Sequence, residues 1–182
     1  MEFALIGIVA LAVGGAIWIY NRLVSDRNQV RNAWSDIDVQ LRRRHDLIPQ
    51  LVTAVKAYAD YERATLSAVT ELRQRSEAAT HLDEKAALED AIEDNVHRLV
   101  VIAEDYPELK ADANFRQLQD ALRDVEDHLQ YARRFYNGAV RIFNTRIESF
   151  PHLILARALK FTAAEFFLAD AGERQTPQVQ IG

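Results

Sequence analysis

The chain has 182 residues, 22 Lys and Arg against 27 Asp and Glu, a formal net charge of −5 and no cysteine. This balance lacks the dominant basic face of a nucleic-acid binder, and the missing thiols exclude a cysteine nucleophile and fit a reducing compartment. Glycine and proline are sparse after residue 22 while Ala, Leu, Glu, Arg and Gln abound, which argues for an all-α domain rather than a sheet with regular turn signals.

Phe3 to Tyr20, FALIGIVALAVGGAIWIY, is an uninterrupted apolar run. As a helix it spans roughly 27 Å, close to the hydrocarbon core of a bilayer. A cleaved signal peptide would need a positive n-region and small residues after the core. Here only Met1 and Glu2 precede the run, and Ile17, Trp18, Ile19 and Tyr20 close it. Residues 1–22 therefore read as a single transmembrane anchor, with Trp18 and Tyr20 suited to the interfacial belt. Arg22, Arg27 and Arg31 follow it, whereas no Lys or Arg precedes it. The positive flank should stay inside, so the N-terminus is expected outside and the domain in the cytoplasm. Ala10 with Gly14, and Ala12 with Ala16, give small-xxx-small spacings compatible with self-association.

Residues 23–171 are expected to form one helical domain. Val30, Trp34, Ile37, Leu41, Ile48, Leu51, Val55, Tyr58, Leu66, Val69 and Leu72 recur at steps of three and four, a bundle or coiled-coil stripe. It is interrupted at Arg44 and His45, where either Asp46 caps a new helix with Pro49 in its first turn or one long helix is kinked. A second stripe, Leu88, Ile92, Val96, Leu99 and Ala103, should start near His81 to Glu84. Pro107 then suits a first helical position. A third stripe from Leu109 through Phe115, Leu122, Leu129, Tyr136 and Phe143 to Ile147 predicts a helix from Pro107 to Ser149, ended by Phe150-Pro151. Leu153 to Leu168 reads as a last, strongly apolar helix, and 172–182 as a loose tail. The architecture expected is an anchor followed by an antiparallel bundle of about four long helices, with either a reversal or a kink in a continuous path at Pro107.

No catalytic pattern emerges: there is no phosphate-binding glycine loop and no GxSxG elbow. Glu93 with His97, and Asp124 with His128, share helix faces at four-residue spacing and could in principle hold a metal, but their surroundings suit a solvated surface. The same holds for Glu89, Asp90, Glu93 and Asp94, since acid–base work requires burial that so polar a run does not offer. Arg42, Arg43 and Arg44 read as a solvated face with acids nearby. From Glu77 to Asp127 there are fifteen acids and five bases, so this region reads as a solvating or partner-facing surface. No catalytic residue, cofactor, metal or small-molecule substrate is expected.

Three ordered segments then carry a resemblance: YNRLVSDRNQVRNAWSDIDVQLRRRHDLIPQLVTAVKAYA from Tyr20, AEDYPELKADANFRQLQ from Ala103 and ARRFYNGAVRIFNTRIESFP from Ala132. Together with the leading run, they resemble the LemA family of bacterial membrane-anchored proteins over nearly the whole chain. The resemblance implies one N-terminal span, a helical bundle and an N-out, domain-in arrangement in the cell membrane. It implies no activity. The expectation is a non-enzymatic scaffold or adaptor of the cell envelope, with the membrane and an unidentified envelope protein as partners. The alternatives are a membrane-surface or membrane-shaping protein using Leu153 to Leu168, and a metal-dependent enzyme using Glu93, His97, Asp124 and His128.

Overall fold

The computed structural model describes residues 1–58 and 62–167, and among these every regular element is helical. They are α1 (Glu2–Lys56), α2 (Arg63–Ala78), α3 (Leu82–Glu104), α4 (Pro107–Ala111), α5 (Ala113–Glu148) and α6 (His152–Ala158). The tail expected over 172–182 lies outside the described residues.

α1 is one helix of 55 residues that runs through Pro49. The choice left open at that proline therefore resolves to continuity, not to a fresh start at Asp46. Proline has no N–H to offer the carbonyl four residues back, which is that of His45. Arg73 of α2 supplies the missing donor, its Nη1 reaching the His45 carbonyl oxygen at 3.1 Å.

The expected helix from Pro107 to Ser149 is instead two. Pro107 does open a helix, but α4 stops after five residues. Asp112 takes extended backbone there and its Oδ1 accepts the N–H of Phe115 at 2.9 Å, a side-chain cap that restarts the chain as α5. α5 is then 36 residues, roughly 54 Å. Its stripe is buried as the spacing predicts, from Phe115 and Leu122 to Val140 and Phe143.

The last helix is also shorter than expected. α6 ends at Ala158, and residues 161–167 have no regular structure; Leu168 lies outside the described residues. The stop is a Schellman turn. The Phe161 N–H reaches back to the Ala156 carbonyl at 2.9 Å and the Lys160 N–H to that of Arg157 at 3.2 Å. Lys160 takes the left-handed conformation, φ 55°, at the position where glycine is usual.

Among the described residues two compact units divide the chain, one of residues 1–37 with 131–166, the other of 38–130 with Phe167. In the first, Leu23, Ala33 and Ile37 of α1 are buried. Trp34 meets Tyr136 edge-on at 5.7 Å, Asp26 pairs with Arg146, and Trp18 meets His152 at 5.9 Å. The numbers fall along α1 as they rise along α5 and α6, so the two chain directions oppose. The segment after α6 is tied to α5. Asn144 accepts the Ala164 N–H at 2.8 Å and donates to its carbonyl at 2.9 Å, and the Tyr136 hydroxyl donates to the Glu165 carbonyl at 2.8 Å. Phe161 packs edge-on to Phe143 and lies under the Arg27 guanidinium.

In the second unit, an apolar core joins Ile48, Leu51 and Val55 of α1, Leu66 and Val69 of α2, Ile92 and Leu99 of α3, Leu109 of α4 and Phe115, Leu118 and Leu122 of α5. Each comes from one of the predicted stripes. These side chains leave water as a single cluster, which is the main force holding the unit's helices together.

Candidate functional site

Against that core sits a cluster of buried charge that the stripes do not announce. Glu89 of α3 is fully buried, and Arg44 and His45 of α1 are 3% and 7% exposed. Glu89 Oε1 is approached by His45 Nε2 at 2.7 Å and accepts the hydroxyl of Ser76 from α2. Its Oε2 accepts from Arg44 Nη1 at 3.2 Å, and the same nitrogen donates to the Glu89 backbone carbonyl at 3.2 Å. The other end of the Arg44 fork binds Glu126 of α5 and lies 3.7 Å from Glu93. Arg43 pairs with Asp124 at 2.8 Å alongside. One carboxylate and one guanidinium thus tie four helices.

Burial alone pushes the Glu89 carboxyl up, because desolvation penalises the charged form. The hydrogen bonds from His45 and Ser76, and the positive charge of His45 and Arg44, outweigh it and hold the group below its ordinary value. Glu89 is therefore an ionised acceptor at neutral pH, with His45 and Ser76 on its Oε1 and Arg44 on its Oε2. A general acid needs a proton to give and a general base needs a free lone pair facing a substrate. Glu89 has no proton to give, and both of its oxygens face partners inside the protein, so the arrangement acts as a clamp.

The run Glu89 to Asp94, expected to be solvated throughout, is therefore divided: Glu89 faces the interior. So does Arg44 of the arginine triplet, while Arg42 stays at the surface with Asp38. The spacing does carry the signal. Arg44 lies three residues after Leu41 and four before Ile48, and Glu89 lies three before Ile92, so both fall on core positions.

Beside the clamp is a groove of about 330 Å³ lined by Arg44, Glu93, Val96, His97, Leu122 and Glu126 among others. The structure brings Glu93 and His97 to this groove. Asp124 is engaged with Arg43, and the exposed His128 turns its Nδ1 to the Asp124 backbone carbonyl at 2.7 Å. Among the described residues, no three groups able to hold a metal gather in one place.

The other feature is the apolar run. Phe3, Leu5, Ile6, Ile8, Leu11 and Trp18 are all more than half exposed. The first part of α1 is long and apolar enough to cross a membrane, and its most apolar 18-residue window is not buried within the structure. In water such a surface is strongly unfavourable, which distinguishes this segment from the core helix of a soluble protein.

A sequence model of the LemA family matches residues 33–181. Among curated proteins, Protein LemA of Metamycoplasma hominis is 27% identical over 178 residues, covering 95% of this chain and 81% of its own. Magnetosome protein MamQ 2 of Paramagnetospirillum magneticum is 22% identical over 92% of this chain and 71% of its own, and Magnetosome protein MamQ of Magnetospirillum gryphiswaldense is 22% identical over 81% and 64%. The family match covers the clamp, α2 to α6 and the greater part of the helical chain, so this protein, as its three sequence segments imply, is a member of the LemA family.

Proposed function

We propose that this protein is a non-enzymatic, membrane-tethered helical scaffold of the bacterial cell envelope, with residues 1–22 as a single-pass anchor and 23–171 as the antiparallel helical bundle it carries. The observation behind this reading is α1 itself. One unbroken helix begins as an exposed apolar run and continues into core positions at Ile48, Leu51 and Val55. A helix that continues from the span into folded protein transmits position and orientation better than a loose linker does.

The opposed directions of α1 and α5 in the first unit support the bundle. The engagement of both Glu89 carboxylate oxygens by His45, Ser76 and Arg44 supports a structural rather than catalytic use of the densest charge cluster. Arg22, Arg27 and Arg31, with no Lys or Arg before the run, favour a cytoplasmic domain and an outside N-terminus. The adaptor's partner would be another envelope protein.

The test is photo-crosslinking in cells from the full chain, with the reactive group at exposed positions such as Asp120 and Arg123. A partner recovered in constant proportion, and lost when the group is moved to another face, is the expected result. Recovery of lipid adducts and scattered proteins alone would overturn the adaptor reading.

A further inference from the structure

We propose that the junction of α5 and α6, residues 149–160, is a second contact with the bilayer that does not span it, seated at the boundary of anionic headgroups and acyl chains beside the exit of α1. The proposal rests on reading Phe3 to Tyr20 as a span and adds a lipid-facing surface from a distant part of the chain.

Height comes first. Trp18, at the C-terminal end of the apolar run, lies against His152 with ring centroids 5.9 Å apart and the ring planes tilted by 51°. Ile19, next to it, is only 9% exposed and Leu23 is fully buried, so folded protein covers α1 up to the last turn of the run. If the run crosses the bilayer, a side chain touching Trp18 lies at the interface, where tryptophan concentrates.

Exposure comes second. Phe150 is 81%, Ile154 59% and Leu159 50% exposed, three large apolar side chains within ten residues. Each keeps half or more of its surface open, although Ala156 between them is buried. Charge comes third. Between Glu148 and Glu165 the chain has no acidic residue, while Arg157 and Lys160 stand exposed among the apolar groups. Exposed bulky apolar side chains interleaved with cations are the composition of an interfacial segment on an anionic leaflet. The Schellman turn at Lys160 keeps this segment short and compact, and Asn144 and Tyr136 hold the chain beyond it on α5.

The natural absence of cysteine allows single spin labels to be placed in the full chain, reconstituted in vesicles of phosphatidylcholine and phosphatidylglycerol at low protein density. The variants are Phe150→Cys, Ile154→Cys and Leu159→Cys, all at exposed positions, with Leu11→Cys in the run and Arg123→Cys in the second unit. Collisions with oxygen, which partitions into lipid, are compared with those of a water-soluble nickel chelate. The three junction labels should favour oxygen several-fold over Arg123→Cys, at depths between it and Leu11→Cys. Junction labels as open to nickel as Arg123→Cys, with Leu11→Cys in lipid, would overturn the second contact alone. Junction labels shielded from both reagents would assign the surface to a second copy of the chain and overturn it too. If Leu11→Cys also reports water, the spanning reading falls and this proposal falls with it.

Discussion

The two ends of α1 are built inside out with respect to each other. In residues 3–18 the large apolar side chains point outward and no charge is present; in residues 38–56 Leu41, Ile48, Leu51 and Val55 are buried together with Arg44 and His45. The backbone is the same helix throughout, so the difference teaches that surroundings decide what a helix exposes. Lipid accepts apolar surface and has no hydrogen bonds to give. A protein interior accepts a charge only where partners are already in place.

The sharpest way to break this comparison is to leave the buried charge alone. Glu89→Ala strips Arg44 and His45 of their shared acceptor. Removing one partner from a buried pair typically costs about 3–5 kcal/mol. Urea unfolding of the full chain in detergent, followed by helical circular dichroism, should show that loss; a change below about 1 kcal/mol, the scale of an exposed pair, would mean that Glu89 is not buried as described. The pH dependence has a definite sign. The Glu89 carboxyl is held below its ordinary value of 4.5. Its contribution is therefore fully present above that value and is lost as pH falls through the depressed one. Glu89→Gln should flatten this acid limb of the stability profile, and an unchanged limb would remove Glu89 from it.

The reciprocal break puts a charge in the lipid-facing end. Leu11→Arg places a guanidinium near the middle of the run, at about 3 kcal/mol on insertion scales. Carbonate extraction of membranes should release a larger share of this variant than of the parent chain. Equal retention would mean that the middle of the run does not sit in hydrocarbon.

How far these features were legible depends on whether local spacing or tertiary contact sets them. The stripes place Ile48, Ile92, Phe115 and Leu122 in one core because burial follows the helical period. The clamp was half legible: Arg44 and Glu89 stand at core positions, but their residue types speak for the surface, and only the pairing across helices reconciles the two. The end of α6 was not legible. Nothing in LARALKFTAAEFF breaks a helix by propensity. The stop comes from contacts far apart in sequence, Asn144 with Ala164, Tyr136 with Glu165 and Phe143 with Phe161, which hold that segment in non-helical form. Asp112 lies between these cases, since an aspartate three residues before Phe115 is a recognisable cap that the longer stripe around it hides.

That account of α6 can be tested at its tertiary tie. Asn144→Ala removes both side-chain bonds to Ala164, at about 1 kcal/mol each and so about 2 kcal/mol in all. Unfolding should register the loss, and the amide of Ala164 should exchange faster than in the parent chain. Asn144→Asp keeps the acceptor and loses the donor, so it should fall between the two. If Asn144→Ala leaves stability and Ala164 exchange unchanged, the segment after α6 is held by something other than Asn144.

The smallest expected effect concerns the local half of the same stop. Lys160 sits at φ 55°, a conformation that costs an ordinary L-residue roughly 1–2 kcal/mol. Lys160→Gly removes that strain but adds freedom to the unfolded chain, worth about 0.5–1 kcal/mol in the opposite direction. The balance is a net stabilisation of about 0–1.5 kcal/mol, since glycine is favoured where φ is positive. Lys160→Ala removes the cation and keeps the strained geometry, so it separates backbone relief from charge. Lys160→Val, β-branched at a left-handed position, should destabilise. The order glycine, then lysine and alanine, then valine is what a turn closed by its own backbone bonds requires. If glycine destabilises while alanine does not, the left-handed turn is not what ends α6, and the tertiary ties through Asn144 and Tyr136 carry the stop by themselves.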